Sequence, residues 1–227
     1  ESRGLFHKSI INLIFAYIAH HAIHLGIQAT PASLDKFEKK EPGELHQHAP
    51  FAAMIENMDQ GVGLVIQKIE ELGLSEDTIV LFTSDNGGLP LSSQTPLRAF
   101  KGAYYEGGIR EPMIAYWPGR IKPGVSCDVP VHNVDFYPTF LDLAGADKPD
   151  NHTLDGVSLL PLLKGQTAYE NRALFWHMPV YNVFGVKPCS IVRQGNYKLI
   201  QWFEEERFEL FDLSTDIGEK HNLLDSQ

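Results

Sequence analysis

Cysteine is scarce in this chain: Cys127 and Cys189 are the only two. They share no metal-ligand spacing, and the sequence leaves open whether they pair. Long apolar runs are missing as well, since no stretch reaches the roughly 18 residues that a membrane-spanning helix needs. A basic stripe is also missing, because 19 Lys and Arg stand against 29 Asp and Glu, giving a formal charge of -10. That balance argues against a nucleic-acid backbone as the main partner. No internal repeat or low-complexity tract occurs, and no signal-peptide pattern opens the chain. Its first residues, ESRGLFHKS, are polar and lead straight into an apolar run. This is expected of a chain that does not begin where its gene product begins.

The 227 residues, 43% of them hydrophobic and 21% charged, have the composition of a globular protein with one substantial core. The densest signal is Thr78 to Arg110. Thr78 to Ser84 is apolar and β-branched almost without a break, the pattern of a strand buried on both faces of a parallel sheet. It ends on Asp85-Asn86-Gly87-Gly88, which is either a tight turn or a ligand-bearing loop beyond a strand's carboxyl end. Lys101, Glu106-Gly107-Gly108 and Arg110 then follow in a loop too long for a mere connector.

Ile10 to Ile18 reads as a second central parallel strand, with His20, His21 and His24 in its C-terminal loop. Pro31, Pro42 and the Lys/Glu cluster from Asp35 to Glu44 mark a solvated excursion with room for a short helical turn. His46 and His48 read as surface residues. Phe51 to Leu72 carries apolar residues at Met54, Met58, Val62, Val65, Ile69 and Leu72, a helical stripe that Gly73 caps. Helix, short loop and the Thr78 strand make half of a βαβ unit. Met113 to Trp117 predicts a further strand. Val134 to Leu143 predicts a helix with Pro138 in its first turn and Gly145 as its stop, and Leu159 to Leu163 a short one before Gly165. From about Arg172 the pattern changes to short strands, Ala173–His177, Ser190–Arg193, Tyr197–Trp202 and Phe208–Leu213, too close together to pair other than antiparallel. The boundaries expected are therefore 1–171 for an α/β core and 172–227 for a small antiparallel subdomain.

Three groups then fall on loops at one sheet edge: Asp85 with Asn86, the histidines 20, 21 and 24, and Lys101 with Arg110. A carboxylate and an amide oxygen suit Ca²⁺ or Mg²⁺, a lysine suits a tetrahedral oxyanion, and a histidine suits protonation of a leaving oxygen. Together they point to metal-assisted hydrolysis of a sulfate or phosphate ester. Two adjacent side chains cannot fill a Ca²⁺ shell, however, and no Ser, Thr or Cys stands out as nucleophile.

The blocks TIVLFTSDNGG (Thr78–Gly88), KGAYYEGGIREP (Lys101–Pro112), WPGRIKP (Trp117–Pro123), VDFYPTFLDL (Val134–Leu143), DGVSLLPLL (Asp155–Leu163), YKLI (Tyr197–Ile200) and ELFDL (Glu209–Leu213) resemble the C-terminal half of a type I sulfatase of the alkaline-phosphatase-like superfamily. The resemblance covers nearly the whole chain. It implies an α/β three-layer sandwich with a mixed, mostly parallel central sheet and a small C-terminal antiparallel sheet, the N-terminal part of the core being absent. It also implies Asp85 and Asn86 as Ca²⁺ ligands (Mg²⁺ less favoured), Lys101 as the residue gripping the sulfate, and His24 as sulfate contact and acid for the leaving alcohol. Ile23 replaces the proline usual before that histidine. Glu106 and Arg110 resemble scaffolding, and His177 with Tyr181 resembles a specificity region, although Val180 stands where many relatives have a second histidine. His132 reads as structural.

The family's nucleophile is a formylglycine made in a C/S-x-P-S/A-R motif of the N-terminal half. Neither Cys127 nor Cys189 lies in that pattern, and the early Asp-Asp ligands are missing too. The expected activity is therefore sulfuric ester hydrolysis together with that N-terminal portion, on a small-molecule or carbohydrate sulfate ester. The alternatives are a phosphomonoester, phosphodiester or phosphonate hydrolase of the same superfamily, or a non-catalytic fragment. The family's usual location is periplasmic, secreted or lysosomal. Asn151-His152-Thr153 fits a glycosylation acceptor pattern, which three residues match often by chance.

Overall fold

The computed structural model describes residues 14–169 and 171–226. The first helix, α1 (Pro31–Glu38), begins where Thr30 accepts the Ser33 N–H and Pro31 sits in the first turn, the position that tolerates its missing donor. The excursion expected here thus contains a full short helix. Asn57 fixes it by accepting the Thr30 N–H at 2.9 Å and donating to Ser33 Oγ at 2.8 Å.

The striped segment forms α2 (Ala49–Glu71). His48, expected as a plain surface residue, is its N-cap, with Nδ1 accepting the Phe51 N–H at 3.1 Å. Gly73, at φ 69°, closes the other end. Its N–H bonds to the Glu70 carbonyl and that of Leu74 to the Ile69 carbonyl, satisfying two orphan acceptors. Phe51, Ala53 and Met54 are buried, while Leu64 and Leu72 on the far turns are exposed.

The Thr78 run is β1 (Val80–Thr83), and Met113–Tyr116 is β2. They pair antiparallel, Val80 opposite Tyr116 and Thr83 opposite Met113, in a two-stranded sheet. This overturns the mostly parallel central sheet expected from sequence. Nor is β1 buried on both faces as expected: Val80, Leu81 and Phe82 are half-buried and Thr83 is exposed, so the continuous apolar run fixed neither the strand's coverage nor the direction of its neighbour. Here the neighbour is the next strand in the chain, and between them lies only the one-turn helix α3 (Glu106–Ile109). No crossover helix carries the chain back to the start of β1, so it returns antiparallel. Of the strand expected over Ile10–Ile18, residues 10–13 lie outside the described residues. Its described part, residues 14–18, is exposed and belongs to no strand, with Phe15 resting edge-on against Phe140 at 5.1 Å.

Helix α4 (Phe136–Ala144) follows a 3₁₀ turn, Asn133–Asp135, that closes a capping box: Asp135 accepts the His132 N–H while His132 accepts the Val134 N–H. Pro138 lies in its first turn and Gly145, at φ 63°, ends it. Helix α5 (Leu160–Leu163) stops before Gly165 at φ 72°.

Four strands complete the fold, β3 (Ala173–Met178), β4 (Cys189–Gln194), β5 (Tyr197–Trp202) and β6 (Arg207–Asp212), in sequential antiparallel order. A two-residue turn at Gly195-Asn196 joins β4 to β5, with the positive φ of 56° at its glycine. Cys189, Ile191, Ile200, Trp202, Phe211 and Leu213 form the buried cluster of this sheet, and Tyr104 and Tyr105 pack against it from the Lys101 loop. Both cysteines are free thiols.

Several large apolar side chains elsewhere are uncovered, among them Phe15, Tyr17, Leu64 and Ile114. Uncovered apolar side chains of this kind, and the edges of the β1–β2 ribbon that stay unpaired among the described residues, favour association. The chain expressed alone is expected to be oligomeric or to aggregate. Size-exclusion chromatography with light scattering checks this, and a monodisperse, cooperatively melting monomer is the contrary result.

Candidate active site

Beyond β1 the chain turns through Asp85 and Asn86. Ser84 Oγ donates to the Asn86 carbonyl at 3.0 Å, and Asn86 Nδ2 donates to the Gly87 carbonyl at 3.2 Å. The Asn86 amide nitrogen is thereby occupied, leaving its oxygen as the atom free to accept. The Gly87 N–H donates to the Gly108 carbonyl at 3.0 Å, so the loop lies directly on α3. A side chain at Gly87 would meet the Gly107 carbonyl oxygen at 2.0 Å, and one at Gly108 would meet the Ala103 oxygen at 2.0 Å. Only glycine permits that approach.

Lys101 is tied to the same loop, its N–H donating to the Gly88 carbonyl at 3.0 Å. Among the described residues its ammonium has no ion-pair partner. In a chain of formal charge -10, a half-buried cation without a carboxylate is conspicuous. Glu106 and Arg110 belong to α3 and pair with each other at 3.4 Å. Asp85, Asn86, Lys101, Glu106 and Arg110 therefore stand on one hydrogen-bonded assembly.

His24 is placed differently. It is exposed on the turn before α1, its N–H bonding the His21 carbonyl at 3.2 Å and its ring lying 5.8 Å from that of His21. The turn rests on α2, where His20 Nε2 would lie 3.1 Å from a side chain at Gly61. Ile23 adopts φ 69°, a left-handed conformation that a proline ring forbids, so this turn has a shape a proline at that position could not take. His177, exposed on β3, shares a 2.7 Å hydrogen bond with Ser190 Oγ. The loop after it reaches the Lys101 region: Asn182 Nδ2 donates to the Gly102 carbonyl at 2.6 Å, and the Phe184 ring covers Gly102.

Several side chains here escaped the sequence reading. Glu111, just past Arg110, has a buried Oε1 without a hydrogen-bond partner. Burial, and then the nearby Asp85 charge, pushes its carboxyl up to about 7. A carboxyl raised by burial and by a neighbouring negative charge is one that a nearby cation would return to its ionised form. With the Asp85 carboxylate and the Asn86 oxygen, the donors on this side fit part of a hard-cation shell. Among the described residues no group of three or more His, Cys, Asp or Glu assembles as a metal set. Cys189 is wholly buried in the core cluster of the β3–β6 sheet, out of reach of a substrate, and burial pushes its thiol up to about 11.

Lys198 was also missed. It is fully buried on β5, with Nζ 3.0 Å from Glu106 Oε1 and 2.8 Å from Glu219 Oε1. A signal existed: alternation along β5 places Lys198 on the same inward face as Ile200 and Trp202.

The chain matches the sulfatase family model over residues 12–146, and the model for the C-terminal region of N-sulphoglucosamine sulphohydrolase over 100–227. It is 39% identical to a sulfatase of Formosa agariphila, the match covering 92% of this chain and 42% of that protein. It is 35% identical to human arylsulfatase A, over 92% of this chain and 44% of the relative. The crystal structure of Ps i-CgsB in complex with k-i-k-neocarrahexaose superposes with a TM-score of 0.76 at 29% identity, covering 89% of this chain and 44% of that one. The structure of BT4656 in complex with its substrate D-glucosamine-2-N,6-O-disulfate gives a TM-score of 0.66 at 28% identity, over 78% and 36% of the respective chains. The class so defined is the α/β scaffold of the alkaline-phosphatase-like superfamily. Within it, this chain belongs to the sulfatase family, of the type I, arylsulfatase-like kind. It spans less than half the length of these relatives.

Proposed function

We propose that this chain is the C-terminal portion of a sulfatase that releases inorganic sulfate from an organic sulfate ester. In this reading Asp85 and Asn86 hold a Ca²⁺ ion, with oxygens from the N-terminal portion completing its shell, and that portion also carries the formylglycine nucleophile. The observation that carries the reading is Lys101: an ammonium without a carboxylate partner among the described residues, tied through its own N–H to the loop bearing Asp85 and Asn86.

A bound cation would supply Lewis-acid polarisation of a sulfate oxygen. Lys101 holds negative charge on the sulfate as the ester S–O bond breaks, a fixed cation where charge develops. The family resemblance, and no contact with the Lys101 assembly, assigns His24 on its separate turn before α1 the role of giving a proton to the departing alcohol oxygen. Glu106 and Arg110 support the two loops. His177 and the loop after it, which touches Gly102, face the organic part of the ester. The carbohydrate ligands of Ps i-CgsB and BT4656 favour a sulfated sugar as that part, with an aryl sulfate as the simpler surrogate. By the same family resemblance the protein works in the periplasm, in a lysosome or outside the cell. Among the described residues no helix is long and apolar enough to cross a membrane.

The test is turnover by the full-length protein of an aryl sulfate and of sulfated sugars, before and after metal removal. Sulfate is expected to be released, and chelation to lower the rate roughly 10²–10³-fold, as loss of several kcal/mol of charge stabilisation requires. Added Ca²⁺ is expected to restore it. A rate indifferent to the chelator contradicts the metal assignment, and faster turnover of a phosphate ester than of its sulfate contradicts the substrate class.

A further inference from the structure

We propose that Lys198 and Glu219, which lie in the C-terminal sheet region and touch no substrate, are positioning residues that set the place of Lys101. The inference rests on the reading of Lys101 as the sulfate-gripping residue. Its physical origin is a buried charge cluster. Glu106, Lys198 and Glu219 are almost wholly excluded from solvent, at 1%, 0% and 0% exposure. Ions so buried persist only when each is paired and hydrogen-bonded. Lys198 Nζ lies between Glu106 Oε1 at 3.0 Å and Glu219 Oε1 at 2.8 Å. Arg193 and Arg110 each approach the other oxygen of Glu106 at 3.4 Å. Burial drives the Glu219 carboxyl upward and Lys198 pulls against it.

From this cluster a closed circuit of contacts reaches the candidate site. Glu219 Oε2 accepts the Glu106 N–H at 2.6 Å, and the Glu219 carbonyl accepts from the Arg98 guanidinium at 2.7 Å. The Arg98 carbonyl accepts the Gly107 N–H at 2.8 Å, returning the circuit to α3. The guanidinium of Arg98 also lies 3.7 Å from the Tyr105 ring centroid, and Tyr105 donates to Glu209 on β6 at 2.7 Å. Lys101 sits inside this frame, held to Gly88, while Gly108 holds Gly87. The frame has little slack. A side chain at Gly107 would meet the Ala99 oxygen at 2.4 Å, and Ala99 and Glu219 are both held at positive φ, 65° and 50°. Backbone in that region persists where its surroundings over-determine it. Removing the ammonium of Lys198 would leave Glu106 and Glu219 facing each other without the charge between them, and the loop from Arg98 to Arg110 would move to relieve them.

The experiment uses the full-length protein with Lys198→Met, the double variant Lys198→Met/Glu219→Gln, and Lys101→Ala as reference. It measures inhibition by inorganic sulfate, kcat and KM separately, and amide hydrogen exchange by segment. Lys198→Met is expected to weaken sulfate inhibition and raise KM by about tenfold to 10²-fold, the scale of a displaced reacting group. Exchange should accelerate in 98–110 but not in α2, and the double variant should recover most of the loss. Unchanged exchange in 98–110, or exchange raised equally in α2, overturns the proposal, because the effect is then absent or merely global. If Lys198→Met does not accumulate as folded protein, Glu219→Gln decides by the same exchange comparison. Sulfate inhibition that survives Lys101→Ala would sink the reading of Lys101, whereas the exchange data would still judge the frame.

Discussion

Replacing Lys101 by alanine in the full-length protein is expected to lower kcat/KM for a sulfate ester by roughly 10²–10³-fold, the usual cost of removing one fixed donor from a site of developing negative charge. The loss should come without a matching loss of stability. Among the described residues the Lys101 ammonium makes no ion pair, and its loop is fixed by main-chain bonds that alanine retains, from its own N–H to Gly88 and from Gly107 to Arg98. Lys101→Arg is expected to recover only part of the rate, because a planar fork does not reproduce a compact point charge in a frame shaped for it. Steady-state kinetics, with inhibition by inorganic sulfate as the binding measure, checks both variants. A Lys101→Ala enzyme within threefold of the parent would remove the lysine from the mechanism.

How far such expectations could be read from sequence depended on whether local chemistry sufficed. The stripe from Met54 to Ile69 and the glycine at 73 specify a helix and its end with no help from elsewhere, and α2 ends as they imply. Short strands divided by a two-residue turn have no choice but to pair antiparallel, hence the β3–β6 sheet. The Asp85 loop and Lys101 were found through a dense motif, and main-chain bonds join them.

What failed was the direction of β1, because an apolar run carries no information about its neighbour. Glu219 was missed for a different reason. It lies in the stretch Asp216-Ile217-Gly218-Glu219-Lys220, where nothing local marks it as buried, and it is buried against Lys198 and the Glu106 amide, which are distant in sequence. His48 and His132 read as surface or structural residues. Both accept a backbone N–H at a helix start, a capping role usually filled by shorter side chains.

Asp135→Ala is expected to destabilise the folded chain by about 3–5 kcal/mol, the cost of breaking a buried pair and stranding its cation. Asp135 is fully buried. Arg172 binds it through its two terminal guanidinium nitrogens, each at 2.6 Å, and the N–H groups of Val157 and His132 donate to it at 2.9 and 2.8 Å. One carboxylate thus ties the start of α4, the segment before α5 and the entry to β3. Burial alone would raise its protonation range, but Arg172 and the two N–H groups outweigh burial and hold the carboxyl below the ordinary aspartate value. A depressed folded-state value gives a definite sign. The stabilisation is complete above the unfolded aspartate range, about pH 4, and is lost as pH falls through the lower folded value. Denaturant unfolding at pH 7 should therefore show the full deficit for Asp135→Ala, and the gap to the parent should narrow as the pH drops below about 4. Arg172→Ala should cost a similar amount, and the double variant less than the sum, because the two side chains share one interaction. A double variant whose loss equals that sum would mean that Asp135 and Arg172 act independently, and that the backbone donors alone hold this junction together.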